Sequence, residues 1–220
     1  MLSLSAYHFA LLFVQTFVLA AILTPVMRRI APRLGYLDQP GDRKVHHTAK
    51  PVLGGAAIFL AQMLVLFGDW FALQWLGSLL DGNGGWFSHQ IAFLAKYAED
   101  ARTVRGEMVG LVLGGMVVFG VGLYDDRFGM HPLIKLSGQM LAGIILYAAD
   151  IQITFLVHSK LWSFTMTVFW VVLITNSYNL LDNMDGLSGG VATISLFMLA
   201  LATNWLGAQD FITAYLVALA

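Results

Sequence analysis

The chain contains no cysteine, 5 prolines and 11% charged residues in a length of 220. Without cysteine there are no disulfides, thiolate metal sites or cysteine nucleophiles. Soluble domains carry about 25% charged residues, so a chain with 11% charged and 58% hydrophobic residues is not an ordinary water-soluble domain. Charge of one sign is also missing, since 12 Lys+Arg against 13 Asp+Glu leave a net −1. That balance argues against nucleic-acid binding and against a charged, disordered tail. No internal repeat of roughly 20–50 residues is visible, and the first apolar run lacks the basic leader of a signal peptide.

Long hydrophobic runs are what the chain has instead, with a mean hydropathy of +0.74. A bilayer crossing takes about 20 apolar residues. Six segments approach or meet that length: His8–Met27, Val52–Gly68, Met108–Tyr124, the shorter Leu136–Ala149, Leu161–Leu181 and Leu187–Gln209. A seventh run, Phe211–Ala220, is cut short, and a half-crossed helix would leave backbone groups unsatisfied in lipid. The sequence therefore predicts an all-α polytopic membrane bundle of six complete transmembrane helices plus a truncated seventh. It forms a single membrane-embedded domain over residues 1–220, incomplete at its C-terminus. Trp70–Leu80 fits either an extension of the second helix or an interfacial segment.

Basic residues near span ends collect on the cytoplasmic side. The loops 28–51, 125–135 and 176–186 hold Arg28, Arg29, Arg33, Arg43, Lys44, Lys50, Arg127 and Lys135, whereas the alternate loops hold Lys96, Arg102, Arg105 and Lys160. This bias places the N-terminus outside and those three loops in the cytoplasm. The unusual polar groups fall in the same three loops, and that coincidence points to a site on one face of the membrane.

In the first loop, Asp38-Gln39-Pro40-Gly41-Asp42-Arg43-Lys44-Val45-His46-His47 mixes directed donors with turn formers. Anionic headgroups alone account for Arg28, Arg29 and Arg33, but the mixture around Arg43, Lys44 and His46 suits a grip on phosphate or a nucleotide. Gly54-Gly55, at the start of the next helix, suits close helix packing. The second loop opens with Tyr124-Asp125-Asp126-Arg127 and reaches Lys135. Adjacent carboxylates at a membrane-helix end are costly and mark sites, although an Asp126–Arg127 pair at an interface would also explain them. Helical neighbours point about 100° apart, so the two carboxylates serve one site differently, one toward a reacting phosphate and the other toward a metal or a cation.

The third segment, Asn176-Ser177-Tyr178-Asn179-Leu180-Leu181-Asp182-Asn183-Met184-Asp185-Gly186, places Asn179, Asp182 and Asn183 on one helical face. Such hard oxygen ligands suit Mg²⁺ or Mn²⁺ better than zinc. From Asn176 to Asp185 an ideal helix turns the side chain by about half a turn, so the helix must bend or stop near Asp185-Gly186 if all four groups share a site. A capped interhelical turn explains Asp185-Gly186 but leaves Asn176, Asn179 and Asp182 unexplained. The remaining histidines, His8, His89, His131 and His158, show no ligand spacing.

Taken in order, Asp38…His46 with Pro51 and Gly54-Gly55, then Gly122-Leu-Tyr-Asp125-Asp126-Arg127, then Asn179-Leu-Leu-Asp182-Asn-Met-Asp185-Gly186 resemble the polyprenyl-phosphate N-acetylhexosamine-1-phosphate transferases. The first loop looks more like the WecA/TagO branch than the peptidoglycan MraY branch. The resemblance covers essentially the whole chain and corresponds to the N-terminal part of the family. It implies a bacterial inner-membrane, multi-pass enzyme with its active site facing the cytoplasm. The reaction implied is transfer of an N-acetylhexosamine 1-phosphate, GlcNAc-1-phosphate above others, from a UDP-sugar to undecaprenyl or another polyprenyl phosphate, releasing UMP, as the first membrane step of envelope polysaccharide synthesis.

By motif position the resemblance implies Asp125 and Asp126 as catalytic groups and Asn179 and Asp182 as ligands of Mg²⁺, with Mn²⁺ as the alternative. It implies Arg43, Lys44, His46, Lys135, Asn176 and Asp185 as substrate-binding residues, with Lys135 on the acceptor phosphate and Asp185 on the nucleoside. Partners so implied are UDP-N-acetylhexosamine, polyprenyl phosphate and the bilayer, with no nucleic acid and with a homodimer left open. The family's later Gly-Asp-x-Gly-Ser-like loop and its His/Arg-rich loop lie beyond Ala220, so the 220-residue chain alone is expected to be inactive. The competing readings are a membrane transporter or scaffold, which would place ionisable groups near midspan, and an MraY-type phospho-sugar-peptide transferase.

Overall fold

The computed structural model describes residues 4–38, 49–80, 103–154, 159–182, 184, 186–205, 216 and 219. Among them are six helices: α1 (Leu4–Leu34), α2 (Gly54–Leu80), α3 (Arg105–Phe128), α4 (Pro132–Ala148), α5 (Lys160–Leu181) and α6 (Leu187–Trp205). They follow the six apolar runs one for one. All but α4 are long and apolar enough to cross a membrane; α4, with 17 residues, spans about 26 Å at 1.5 Å per residue. Large apolar side chains such as Phe17, 65% exposed, and Ile194, 64% exposed, stand uncovered on these helices, as expected for surfaces solvated by lipid. The chain is a multi-pass membrane protein. Its seventh apolar run lies outside the described residues apart from Leu216 and Leu219.

Two boundaries differ from the hydropathy reading. Helix α1 continues beyond the basic cluster, so Arg28, Arg29 and Arg33 are helical, and the stop comes at Gly35 in the left-handed region (φ 77°). There the Tyr36 N–H donates to the Ala31 carbonyl at 2.9 Å, which satisfies an end carbonyl in the manner of a glycine C-cap. Helix α2 absorbs Trp70–Leu80 as a continuation of the second span. A short antiparallel ribbon, β1 (Leu37–Asp38) with β2 (Lys50–Pro51), pairs Leu37 with Pro51 and Asp38 with Lys50. Two-residue strands carry no periodicity for a sequence reading to detect.

The chain divides into two compact units. One comprises Met1–Met27, Gly55–Thr103 and Gly189–Ala220; in it His8 Nε2 lies 3.7 Å from Asp69 Oδ1, and Ala57 and Ala61 are fully buried. The other comprises Arg28–Gly54 and Val104–Ser188 and contains the ribbon with α3, α4 and α5.

In this second unit α4 packs against both α3 and α5. Small residues set the approach: a Cβ on Gly143 would come 2.9 Å from the Val168 Cα, so the α4–α5 contact is backbone-close. Gly114 meets Leu146 and Gly138 meets Val121 across the α3–α4 interface. Between lipid-solvated helices there is little hydrophobic drive, and close approach at small residues supplies dispersion contact instead.

Candidate functional site

The α3–α4 connection is built for a short reversal. Helix α3 ends at Gly129 (φ 67°), whose N–H donates to the Asp125 carbonyl at 2.9 Å. Pro132 opens α4 where its missing N–H costs nothing, and the His131 Nδ1 accepts from the Leu133 N–H at 3.3 Å. Within this turn the Met130 N–H donates to Asp125 Oδ1 at 2.8 Å. The turn thereby holds Asp125, from the last turn of α3, against Lys135 in the first turn of α4.

Lys135 is the centre of the arrangement. Its Nζ donates to Asp125 Oδ2 at 2.9 Å and to Asn179 Oδ1, on α5, at 3.4 Å. Both partners of the ion pair are about one-quarter exposed (25% and 26%), so the pair is screened less than a surface bridge. One turn deeper, Gln139 and Asn176 pair their carboxamides. The Asn176 Nδ2 donates to Gln139 Oε1 at 2.7 Å and Gln139 Nε2 donates to Asn176 Oδ1 at 3.4 Å. The Asn176 Nδ2 also donates to the Val172 carbonyl at 2.8 Å.

Asp126, exposed beside this group, is not hydrogen-bonded to Lys135 yet feels the charges of Asp125, Lys135, Asp38 and Asp182. Asp125 and Asp126 thus occupy different surroundings, as their angular separation on the helix requires. The Asp126–Arg127 pairing considered from sequence is not the contact formed by the guanidinium: Arg127 lies over the Tyr36 ring at 5.6 Å and the Phe128 ring at 5.0 Å. That stacking ties the ribbon's approach to the end of α3 and brings Asp38 into the electrostatic reach of Asp126.

Helix α5 stops at Leu181, with Asp182 as its C-cap, and Gly186 takes φ 81° just before α6. The helix thus stops a few residues before Asp185-Gly186, where a shared site for all four groups would need a break; Asp185 itself lies outside the described residues. Asp182 and Asn179 are exposed, Asp125, Lys135 and Asn176 are half-buried, and Gln139 is buried, so the polar column runs from a wet mouth to a dry interior. Arg43, Lys44, His46 and Asp185 lie outside the described residues.

The donors are carboxylate and amide oxygens, the chemistry a hard divalent cation takes. Among the described residues no three His, Cys, Asp or Glu side chains are close enough to form a metal cage. Mg²⁺ needs no such cage, since it is commonly held by one or two carboxylates together with substrate phosphates. Asn179 and Asp182, with the negative field around Asp126, fit that mode. Gln139 was not identifiable as a site neighbour from sequence: a glutamine in an apolar run carries no spacing signal, and its partner lies 37 positions away.

The model of glycosyl transferase family 4 matches residues 108–220. A probable undecaprenyl-phosphate N-acetylglucosaminyl 1-phosphate transferase of Bacillus subtilis is 28% identical over 196 residues, covering 86% of this chain and 46% of the relative. A decaprenyl-phosphate N-acetylglucosaminephosphotransferase of Mycobacterium tuberculosis is 30% identical over 191 residues, covering 80% and 41%. A phospho-N-acetylmuramoyl-pentapeptide-transferase of Streptococcus pneumoniae is 27% identical over 223 residues, covering 92% and 60%. The chain thus spans less than half the length of the first two relatives. No solved structure matches it.

Proposed function

This chain belongs to glycosyl transferase family 4, and we propose that it supplies the polar centre of an enzyme moving N-acetylglucosamine 1-phosphate from a UDP-sugar to a polyprenyl phosphate. The observation that carries this reading is the Lys135 ammonium held between Asp125 and Asn179 at one end of three membrane helices, beside the carboxylates of Asp126, Asp38 and Asp182. An acceptor that is lipid at one end and phosphate at the other would meet such a group at the membrane surface.

In the proposed reaction an oxygen of the polyprenyl phosphate attacks the sugar-bearing phosphorus of the UDP-sugar. The P–O bond to the UMP phosphate breaks, UMP leaves with that oxygen, and a polyprenyl diphosphate sugar remains. A phosphomonoester with a second pKa of about 6 is already largely ionised at neutral pH, so neutralisation and alignment matter more than a strong base. Lys135 offers its ammonium to the acceptor phosphate. Asp125 fixes that ammonium, and Asp126 positions the acceptor or takes its last proton. A divalent metal ion, Mg²⁺ or Mn²⁺, held by Asn179, Asp182 and the substrate diphosphate, would stabilise charge developing on the leaving UMP.

Arg43, Lys44 and His46 are assigned to the donor phosphates, Asp185 to the nucleoside and Asn176 to the substrate side of α5. We assign the site to the cytoplasmic face of a bacterial inner membrane, with the N-terminus outside; the loop distribution of Lys and Arg supports that sidedness, and the bacterial relatives support the membrane. A transport reading is less well supported, because the described charged groups around α3 and α4 stand at helix ends.

The test is UMP release by the full-length protein in lipid, supplied with undecaprenyl phosphate and either UDP-GlcNAc or UDP-N-acetylmuramoyl-pentapeptide. The proposal expects turnover with UDP-GlcNAc, loss on chelation with EDTA and recovery with Mg²⁺ or Mn²⁺. Turnover confined to the muramoyl-peptide donor would move the enzyme to the peptidoglycan branch, and no turnover with either donor would overturn the reading.

A further inference from the structure

The apolar surfaces of α4 and α5 do not by themselves dictate how far one helix slides along the other, because lipid tails solvate displaced side chains as well as a neighbouring helix does. Specificity of register must come from contacts that work at one position only. Gly143 against Val168 sets closeness, but small residues tolerate sliding. The carboxamide pair does not. Gln139 is 1% exposed and is the largest fully buried side chain among the described residues.

Gln139 stands four residues after Lys135 on α4, and Asn176 stands three before Asn179 on α5. Each pair lies on one helical face. The Gln139–Asn176 and Lys135–Asn179 contacts are therefore successive rungs between two antiparallel helices. A slip of one residue moves a helix by about 1.5 Å and turns it by about 100°, which breaks both rungs together and strands a buried amide without partners.

We propose that Gln139 is a positioning residue which, by locking its carboxamide to Asn176, sets the α4–α5 register that brings the Lys135 ammonium to Asn179 and Asp125. Both Asn176 amide contacts, to Gln139 and to the Val172 carbonyl, then serve the same end: the Asn176 side chain is oriented as part of the lock. The role in turnover rests on the transferase reading; the geometric role does not.

Two readouts separate them. Gln139→Asn shortens the reach by one methylene and Asn176→Gln lengthens it by one, so each alone misaligns the rung and the double variant restores its span. The first readout is the rate of amine-reagent labelling at Lys135, located by mass spectrometry on full-length protein in lipid, with the thermal midpoint measured alongside. The second is kcat and KM for UMP release.

Each single variant is expected to label Lys135 several-fold faster, with a lowered but still cooperative thermal transition, and to lose roughly 10- to 100-fold in kcat; for Gln139→Asn, which replaces no substrate-binding residue, KM for the UDP-sugar stays within about twofold. The double variant is expected to return both toward wild type. Should a single variant fail to fold, the double variant against wild type carries the labelling comparison alone. Unchanged Lys135 labelling in folded single variants, or a double variant as exposed at Lys135 as the singles, would overturn the proposal. Altered labelling with no turnover in wild type would uphold the lock and reject the transferase reading.

Discussion

At one end of the α3–α4–α5 group partly exposed charged side chains meet across the helices; at the other the contact is made by the buried hydroxyls of Ser163 and Thr167, with Gln152 reaching on to the exposed Asp150 at 3.3 Å. The far end is closed by Thr167, which accepts from the Ile153 N–H at 3.0 Å and donates to the Ser163 carbonyl at 2.8 Å. Ser163 donates to Gln152 Oε1 at 2.9 Å, and both Ser163 and Thr167 are only 4% exposed. The bonds to Ile153 and Gln152 hold the segment after α4 against α5. The near end is different: Lys135 answers Asp125, and the charges of Asp125, Asp38 and Asp182 all act on Asp126. The buried hydroxyls of the far-end network are satisfied, and satisfied buried polar groups rigidify. Like charges gathered at one helix end are costly, and in the proposed function a cation and substrate phosphates offset that cost.

The largest effect expected from breaking this contrast is at the charged end. Asp126→Asn keeps the shape and removes the charge, and should lower kcat for UMP release by roughly 10²- to 10³-fold while leaving thermal stability equal or slightly raised, since one like-charge repulsion is gone. Gly143→Ala acts between the two ends. Its methyl would meet the Val168 backbone at 2.9 Å, and the helices can yield only by separating, so stability should fall by about 1–3 kcal/mol and turnover with it.

At the far end, Thr167→Val removes the acceptor for the Ile153 N–H, and unfolding measured in detergent should show a loss of about 1 kcal/mol with kcat unchanged. The smallest effect is expected at the rim. Arg127→Lys keeps the charge but loses planar stacking on Tyr36, worth under about 1 kcal/mol, and should appear as a few-fold rise in KM for the UDP-sugar. If Thr167→Val abolished turnover while Asp126→Asn spared it, the assignment of the two ends would be reversed.

Much of this contrast was legible in the sequence, for physical reasons. Hydropathy located the six helices because a lipid-facing helix must be apolar for its whole length. Asp125, Asp126, Asn179 and Asp182 stood out because polar groups at membrane-helix ends are costly enough to need a reason. Contacts between elements were not legible. Arg127 has its neighbour Asp126 as the obvious partner in sequence, but its stacking partner Tyr36 lies far along the chain, just before the ribbon. Gln139 sits in an apolar run where nothing in the local pattern separates a register lock from a tolerated polar residue. The fate of Trp70–Leu80 was open because length and hydropathy suit a long helix and an interfacial one equally, and the structure continues the helix.

The most direct test of the contrast is amide hydrogen exchange on the full-length protein in lipid nanodiscs, with and without UDP-GlcNAc and Mg²⁺. The Lys135 end is predicted to gain protection, in residues 125–135 and 176–182, while residues 150–154 and 163–167 at the far end stay unchanged. Protection appearing at the Thr167 end, or bound nucleotide-sugar with no change around Lys135, would contradict the assignment of the charged end as the site.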